Sequence, residues 1–436
     1  MTSVKRFVFL ALLSIIGLVA VKIDKDVYIT SGLWLISKGF NKLYDMQVEL
    51  EINARENVNL QKKAIHEFLT SNMGFLGETR EVVARQLKPP VITRNDLLKD
   101  VLGTLPHKLC EAEPVVDVLQ ETVLPTMVLF STRFRLCSDA NPLLLHGTIG
   151  VPIKDFEGYE SLPHLGEAGL NKGKSLIVAL HGTAAGPEQL FSGSANDKSY
   201  DTPDYHNFLG DALVEKGFVV FAPQLITNAR YLPVSGYNST RNQLHNRLLP
   251  FGMTLSGLEV SLISESIEGL LVSKLFSSVL KSGSVGAYGV SLGGEIAFYL
   301  ASLNPLVQAV VISQWMENRD EKLAGTIDHA NWRYQNSSYV YSRGYSLAFN
   351  DDVLVDMILP RAVFIEAGLR DGQRAQSAMV VFDSWTRKFA DAVRDRSLCF
   401  EMADAGHEAI VNNSVRFLEE KLLSDQHESF ECVKTQ

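Results

Sequence analysis

The sequence has little of what marks a metal, redox or nucleic-acid-binding protein. Its 436 residues include four cysteines, and no two are spaced as CxxC, so zinc-site and thioredoxin-like readings have no basis. Basic residues are in deficit: 41 Lys and Arg stand against 50 Asp and Glu, a net charge of −9. With no basic stripe to track phosphates, nucleic acid is not an expected partner. No internal repeat or low-complexity tract is present, which sets aside solenoids and propellers. Long apolar runs are scarce too. The longest, Phe7 to Val21, falls short of the roughly 20 residues that span a bilayer.

That run has a different use. Lys5-Arg6 precedes it and a charged stretch, Lys22 to Asp26, follows, as around the apolar region of a signal peptide. Leu18-Val19-Ala20 is an imperfect cleavage site, because Leu18 is bulky where a small residue is preferred. Residues 1–23 are therefore expected to be a signal peptide or an uncleaved membrane anchor. Export to a periplasmic, secreted or lumenal location follows, with membrane association through residues 7–21 if the leader stays. Cys110, Cys137, Cys399 and Cys432 form an even set that can pair in an oxidising compartment. Two local pairs, Cys110 with Cys137 and Cys399 with Cys432, are the preferred pattern; four free thiols are the alternative.

What is present is an ordinary globular composition, 46% hydrophobic and 21% charged, long enough for a large core. Residues 24–124 read as a helical N-terminal region, with Leu60, Ala64, Ile65, Phe68 and Leu69 on one face. From Thr126 the apolar period changes. Thr126 to Phe134 and Leu143 to Ile153 read as a hairpin. Short apolar strands then alternate with helices: Ser175 to Leu180, Phe218 to Pro223, Val285 to Val290, Val307 to Ser313, Ala362 to Ala367 and Leu398 to Met402. Such alternation predicts an α/β fold whose mostly parallel sheet is flanked by helices. Gln314 to Pro360 is too long for a plain connection and is rich in aromatics, which suggests a lid-like insertion.

The chemistry-bearing stretch is Gly289-Val290-Ser291-Leu292-Gly293, set between an apolar strand and a helix. This is the context of a nucleophile elbow, in which a tight turn lifts Ser291 clear of the sheet. A serine hydroxyl needs a base, and the base needs an orienting acid. Both partners follow in chain order, each just past a strand: Asp371, then His407. Glu366 is the rival acid. The expected oxyanion hole takes the N–H of Leu292 and a second N–H from Gly182 or Thr183. His181, before them, reads as structural. Trp315 and Trp332 in the insertion are candidate pocket walls.

These motifs resemble the α/β-hydrolase fold, and within it the acetyl-esterase and dienelactone-hydrolase-like branch. His181-Gly182, Ser291-Leu292-Gly293-Gly294 and the segment Leu249 to Gly257 carry the resemblance, over roughly Thr126 to Leu423. It implies a catalytic domain over 125–436, with the insertion at 314–360. It also implies a serine esterase that cleaves a small-molecule ester or acyl substrate through an acyl-enzyme, with no cofactor and no metal. A peptidase resembling prolyl oligopeptidases, a thioesterase or an acyltransferase on the same fold, and a noncatalytic binding module are the alternatives. Oligomeric state is left open.

Overall fold

The computed structural model describes residues 113–136, 143–153, 173–183, 185–192, 204–226, 244–318, 351–423 and 432. The chain divides into two compact units, Met1–Phe75 with Ala324–Thr326, and Leu76–Leu323 with Ile327–Gln436; every described residue lies in the second. The leader, the helices expected before residue 113, Cys110, Cys137 and Trp332 lie outside the described residues.

A nine-stranded sheet forms the frame. Its strands are β1 (Val115–Val123), β2 (Met127–Leu136), β3 (Leu143–Pro152), β4 (Lys174–Leu180), β5 (Val219–Pro223), β6 (Leu280–Val290), β7 (Val307–Ser313), β8 (Ala362–Gly368) and β9 (Leu398–Ala403). The spatial order is β1-β2-β3-β5-β4-β6-β7-β8-β9. β1, β2, β3 and β5 pair antiparallel in succession. From β5 across to β9 every pairing is parallel.

Period-two alternation builds both layers of the core. On β4, Leu176, Val178 and Leu180 belong to one apolar cluster, while Ile177 and Ala179 belong to the other. Against the first cluster pack helices α2 (Leu255–Val272), α3 (Leu292–Leu303), α4 (Asp351–Ile358) and α5 (Gln373–Lys388). Against the second pack α1 (Leu209–Glu215) and α7 (Val411–Leu423). A short helix, α6 (Ala390–Arg394), follows α5. A strand buried on both faces gains roughly 1.5–3 kcal/mol per fully buried Val, Leu or Ile side chain, which is why the central strands read as unbroken apolar runs.

One boundary differs from expectation. Val115–Val123 sits where a helical region was expected, yet it is a strand paired along its length with β2. Its pattern is masked by polar residues because an edge strand buries little. Asp117 instead accepts from Arg133 and Arg135 on β2 at 3.0 Å each, a tie visible only once the strands are side by side. The sheet therefore begins before residue 125. Within the expected insertion, Asp351–Ile358 is helix. Among the described residues no helix is long and apolar enough to cross a membrane.

One of the expected disulfides is present. Cys399 on β9 is bonded to Cys432, which is thereby tied to that strand.

Candidate active site

The elbow is local in origin. β6 ends at Val290 and α3 begins at Leu292, so Ser291 alone makes the turn, at φ 57° and ψ −117°. That is a region side chains rarely adopt, and strain of about 1–3 kcal/mol persists only where the surroundings enforce it. Here they do. A Cβ on Gly289 would collide with the Gly293 carbonyl, and one on Gly293 with the Leu180 carbonyl. The two glycines thus let α3 start hard against both its own strand and β4. The Ser291 N–H donates to the Ser313 carbonyl at 2.9 Å, pinning the turn to β7.

Asp371 and His407 lie past the ends of adjacent parallel strands, β8 and β9. The structure brings them together: His407 Nδ1 is 2.6 Å from Asp371 Oδ2. Both side chains are partly exposed, at 29% and 17%. Their loops are zipped to each other, Leu369 N–H donating to the Ala403 carbonyl and Arg370 N–H to the Ala405 carbonyl, each at 2.8 Å. Arg374 supplies a cation. Its Nη1 stands 3.0 and 3.3 Å from the two His407 ring nitrogens, and its Nε is 3.3 Å from Glu317 Oε1. Gln314, Met316, Glu317, Gly368, Asp371 and Arg374 line a small recess here.

Glu366 has a different place. It is fully buried on β8, accepting from the Tyr288 hydroxyl at 2.7 Å, the Ile410 N–H at 3.1 Å and the Ser414 hydroxyl. Burial pushes its carboxyl up to about 7, against the opposing pull of Ser414, Ser313, Tyr288 and the Ile410 N–H. Its oxygens are committed beneath the site, and Asp371 is the carboxylate that holds His407.

Sequence reasoning missed the residue that joins these parts. Gln314 follows β7 at φ 55° and is buried. Its Nε2 donates to the Glu408 carbonyl at 2.8 Å, its Oε1 accepts from the Gly368 N–H at 3.0 Å, and its backbone N–H donates to the Glu366 carbonyl. One amide therefore spans the histidine loop and the acid-bearing strand end, one residue beyond the carbonyl that anchors Ser291. No sequence signal singles it out, because all these partners are distant in the chain.

The loop after β4 is held by two buried histidines. His181 Nε2 accepts from the Leu225 N–H at 3.1 Å, so its Nδ1 carries the proton and donates to the Gly182 carbonyl at 2.9 Å. His206 Nε2 accepts from the Gly182 N–H at 2.9 Å. This corrects the expectation for Gly182. Its N–H is engaged and is not a free oxyanion donor. The Gly182 carbonyl faces His181, and in a trans peptide the following N–H points the opposite way, so Thr183 carries the donor directed off that loop. The Leu292 N–H is in the first turn of α3, where helices leave N–H groups without intrahelical partners. Tyr205 ties this loop to the other side of the site: its hydroxyl is 3.3 Å from the Thr183 carbonyl and its ring stacks on His407 at 6.4 Å.

Trp315 packs in the main apolar cluster, and its Cβ would lie 3.0 Å from a Cβ added to Gly294. That position is against the start of α3, a packing role by contact. Among the described residues no group of three or more His, Cys, Asp or Glu is arranged to hold a metal ion.

A parallel sheet with an antiparallel leading edge, helices on both faces, and a strained serine between strand and helix define the class: the chain has the α/β-hydrolase fold. Residues 202–324 match the dienelactone hydrolase family, a segment that includes the elbow. The fold is shared with a Bacteroides fragilis protein assigned as an acetyl xylan esterase, at 16% identity and TM-score 0.50, covering 71% of this chain and 73% of that one. It is also shared with a glucuronoyl esterase from Solibacter usitatus, at 10% identity and TM-score 0.51, covering 75% of this chain and 92% of that one. No curated protein matches the chain significantly in sequence.

Proposed function

We propose that this protein is a serine esterase, cleaving a carboxylic ester through an acyl-enzyme. The observation that carries the reading is a strained elbow serine at the end of β6 in the same parallel sheet as a histidine–carboxylate contact of 2.6 Å past the ends of β8 and β9. Ligand-binding groups of open parallel sheets gather at those ends.

In this reading His407 takes the Ser291 hydroxyl proton as Oγ bonds to the ester carbon. The oxygen that becomes negative is met by the Leu292 and Thr183 N–H groups. Collapse breaks the bond to the alcohol, which leaves with the proton from His407. Water then repeats the sequence and frees the acid. Asp371 keeps the proton of neutral His407 on Nδ1, so that the other ring nitrogen can act as base.

The test is a fluorophosphonate probe, expected to label wild-type protein at Ser291, with turnover of p-nitrophenyl esters of increasing chain length. Acetylated xylan and a glucuronate ester belong in the same panel, since the two structural relatives are named for such substrates. Thioesters and prolyl peptides complete it. A probe that leaves Ser291 unlabelled, or a peptide preferred over every ester, would overturn the reading.

Export is part of the proposal. The Lys5-Arg6 and apolar 7–21 pattern supports it, and so does the Cys399–Cys432 disulfide, a bond that persists in oxidising compartments. Fractionation with N-terminal sequencing of the mature protein tests it; an intact Met1 in the cytosol would refute it.

A further inference from the structure

Directly before α1 lies a second histidine–aspartate pair, which the esterase chemistry does not use. His206 is completely buried. Its Nδ1 is 2.8 and 3.0 Å from the two oxygens of Asp204, and the His206 backbone N–H donates to Asp204 as well, at 2.8 Å. The protonation pattern follows from the partners. A backbone N–H can only donate, so the Gly182 contact makes Nε2 the acceptor and leaves the proton on Nδ1, facing the carboxylate. Burial of Asp204 opposes its ionisation, but the hydrogen bonds from the His206 ring and backbone N–H outweigh it and hold the carboxyl below its usual range. Gln189 Nε2 adds a third donor to Asp204 at 2.9 Å.

The segment is built to bear on the loop after β4. Asn207 and Phe208 both have positive φ, a sharp reversal before α1. The Tyr205 ring lies tilted against His206, with centroids 3.9 Å apart. Gly182 is glycine because a Cβ there would run into the Tyr205 hydroxyl and sit 2.9 Å from its Cε2. On the far side the Tyr205 carbonyl accepts from the Ala409 N–H at 2.8 Å, and the Asn207 amide donates to the Ala409 carbonyl at 2.9 Å. Asp204 to Asn207 thus bridges the Gly182-Thr183 loop and the loop that carries His407.

We propose that His206, oriented by Asp204, is a positioning residue for the oxyanion hole: it fixes the Gly182 peptide so that the Thr183 N–H meets the developing oxyanion. The proposal rests on the esterase reading above and deepens it. His206 touches no reacting atom. His206 holds the N–H of the 181–182 peptide while His181 holds the carbonyl of the 182–183 peptide, so the two planes that meet at the Gly182 Cα are fixed together, and with them the direction of the Thr183 donor. Such a donor acts in the transition state more than in the bound substrate, so misplacing it lowers kcat rather than raising KM.

The two histidine nitrogens can be replaced separately. In His206→Gln the amide oxygen reaches the place of Nε2 and can still accept from Gly182. In His206→Asn the amide reaches only the place of Nδ1, next to Asp204. Wild type is first shown to label with fluorophosphonate and to turn over p-nitrophenyl acetate. Each variant is then measured for kcat, KM and affinity for an alkyl boronic acid, a mimic of the tetrahedral intermediate. His206→Gln is expected to keep kcat within about 3-fold. His206→Asn is expected to lose about 10- to 100-fold in kcat with KM unchanged, below the loss for deleting a donor outright, and boronate affinity should fall by a similar factor. Asp204→Asn, which leaves volume intact but allows the other tautomer, is expected to reproduce that loss even if His206→Asn proves insoluble. Equal kcat in the Gln and Asn variants, or a normal kcat and boronate affinity in Asp204→Asn, would overturn the proposal while the esterase reading stands. Absence of labelling and turnover in wild type would overturn both.

Discussion

Among the described residues two histidine–aspartate pairs share a similar contact through Nδ1, and they face opposite conditions. His407 and Asp371 meet at 2.6 Å and both keep part of their surface exposed. His206 and Asp204 meet at 2.8 Å, with the imidazole entirely buried. In each pair the aspartate accepts at Nδ1. The difference is at Nε2: in His206 a backbone N–H occupies it at 2.9 Å, whereas at His407 the neighbour is the partly exposed Arg374 side chain, at 3.3 Å. A backbone N–H fixed on Nε2 leaves His206 able to hold structure but not to take a proton, and His407 can act as the proposed base only when the Arg374 side chain is turned off its Nε2. In the reading proposed above, the same residue types serve as base in one place and as clasp in the other, and the surroundings decide which.

The comparison can be broken most severely at its proposed catalytic half. Ser291→Ala and His407→Ala are each expected to lower kcat by roughly 10³- to 10⁶-fold, with thermal unfolding little changed, because triad members act as a unit. Ester turnover that survives in purified Ser291→Ala would end the analogy. A sharper cut comes from the two aspartates. Asp371→Asn is expected to cost on the order of 10⁴-fold in kcat through the wrong imidazole tautomer, far more than the loss set for Asp204→Asn. Similar losses in the two variants would mean that the pairs are not functionally distinct.

Smaller effects probe what supports the exposed pair. Gln314→Ala removes the amide that serves both the Gly368 N–H and the Glu408 carbonyl. Leaving these groups without partners is expected to cost about 1–3 kcal/mol in urea unfolding each time one stays buried, with a modest fall in kcat. Unchanged stability would show that the histidine loop is held by its other contacts.

The smallest effect lies beneath the site. Glu366 titrates at about 7 when folded, above its ordinary value of 4.5. Below the lower value it is protonated in both states. Between the two, the folded protein keeps a proton that the unfolded chain has released, so this group makes stability fall as pH rises. Above about 7 the penalty is complete and constant. Glu366→Gln should flatten the decline in urea midpoint between pH 5 and pH 8. Raised Glu401 and Asp211 carboxyls act in the same direction, so part of the slope will remain. An unaltered slope would place Glu366's proton elsewhere.

Much of this was legible from the chain, and the reason is distance along it. The elbow needs only a strand, a glycine, a serine, another glycine and a helix in succession, all within a dozen residues, so pattern alone located Ser291. The central parallel strands were equally plain, because burial on both faces demands continuous apolar runs. β1 was misread because an edge strand lacks that demand. Helix α1 begins only at Leu209, and the residues before it, Asp204 to Phe208, form the clasp. No local pattern distinguishes those uses.

Sequence by itself determined which residue types were available and where strands ended, because hydrophobic period and turn-forming glycines act between near neighbours. The choice of Asp371 over Glu366 belonged to tertiary structure: one lies just past the end of β8 and the other within it, and packing turns the first toward His407 and buries the second against Tyr288 and Ser414. So did the withdrawal of Gly182 as a donor, since its N–H is taken by a histidine 24 residues away. Hydrogen-bond partners are assigned by proximity in space, and a parallel sheet makes neighbours of segments that the chain keeps far apart.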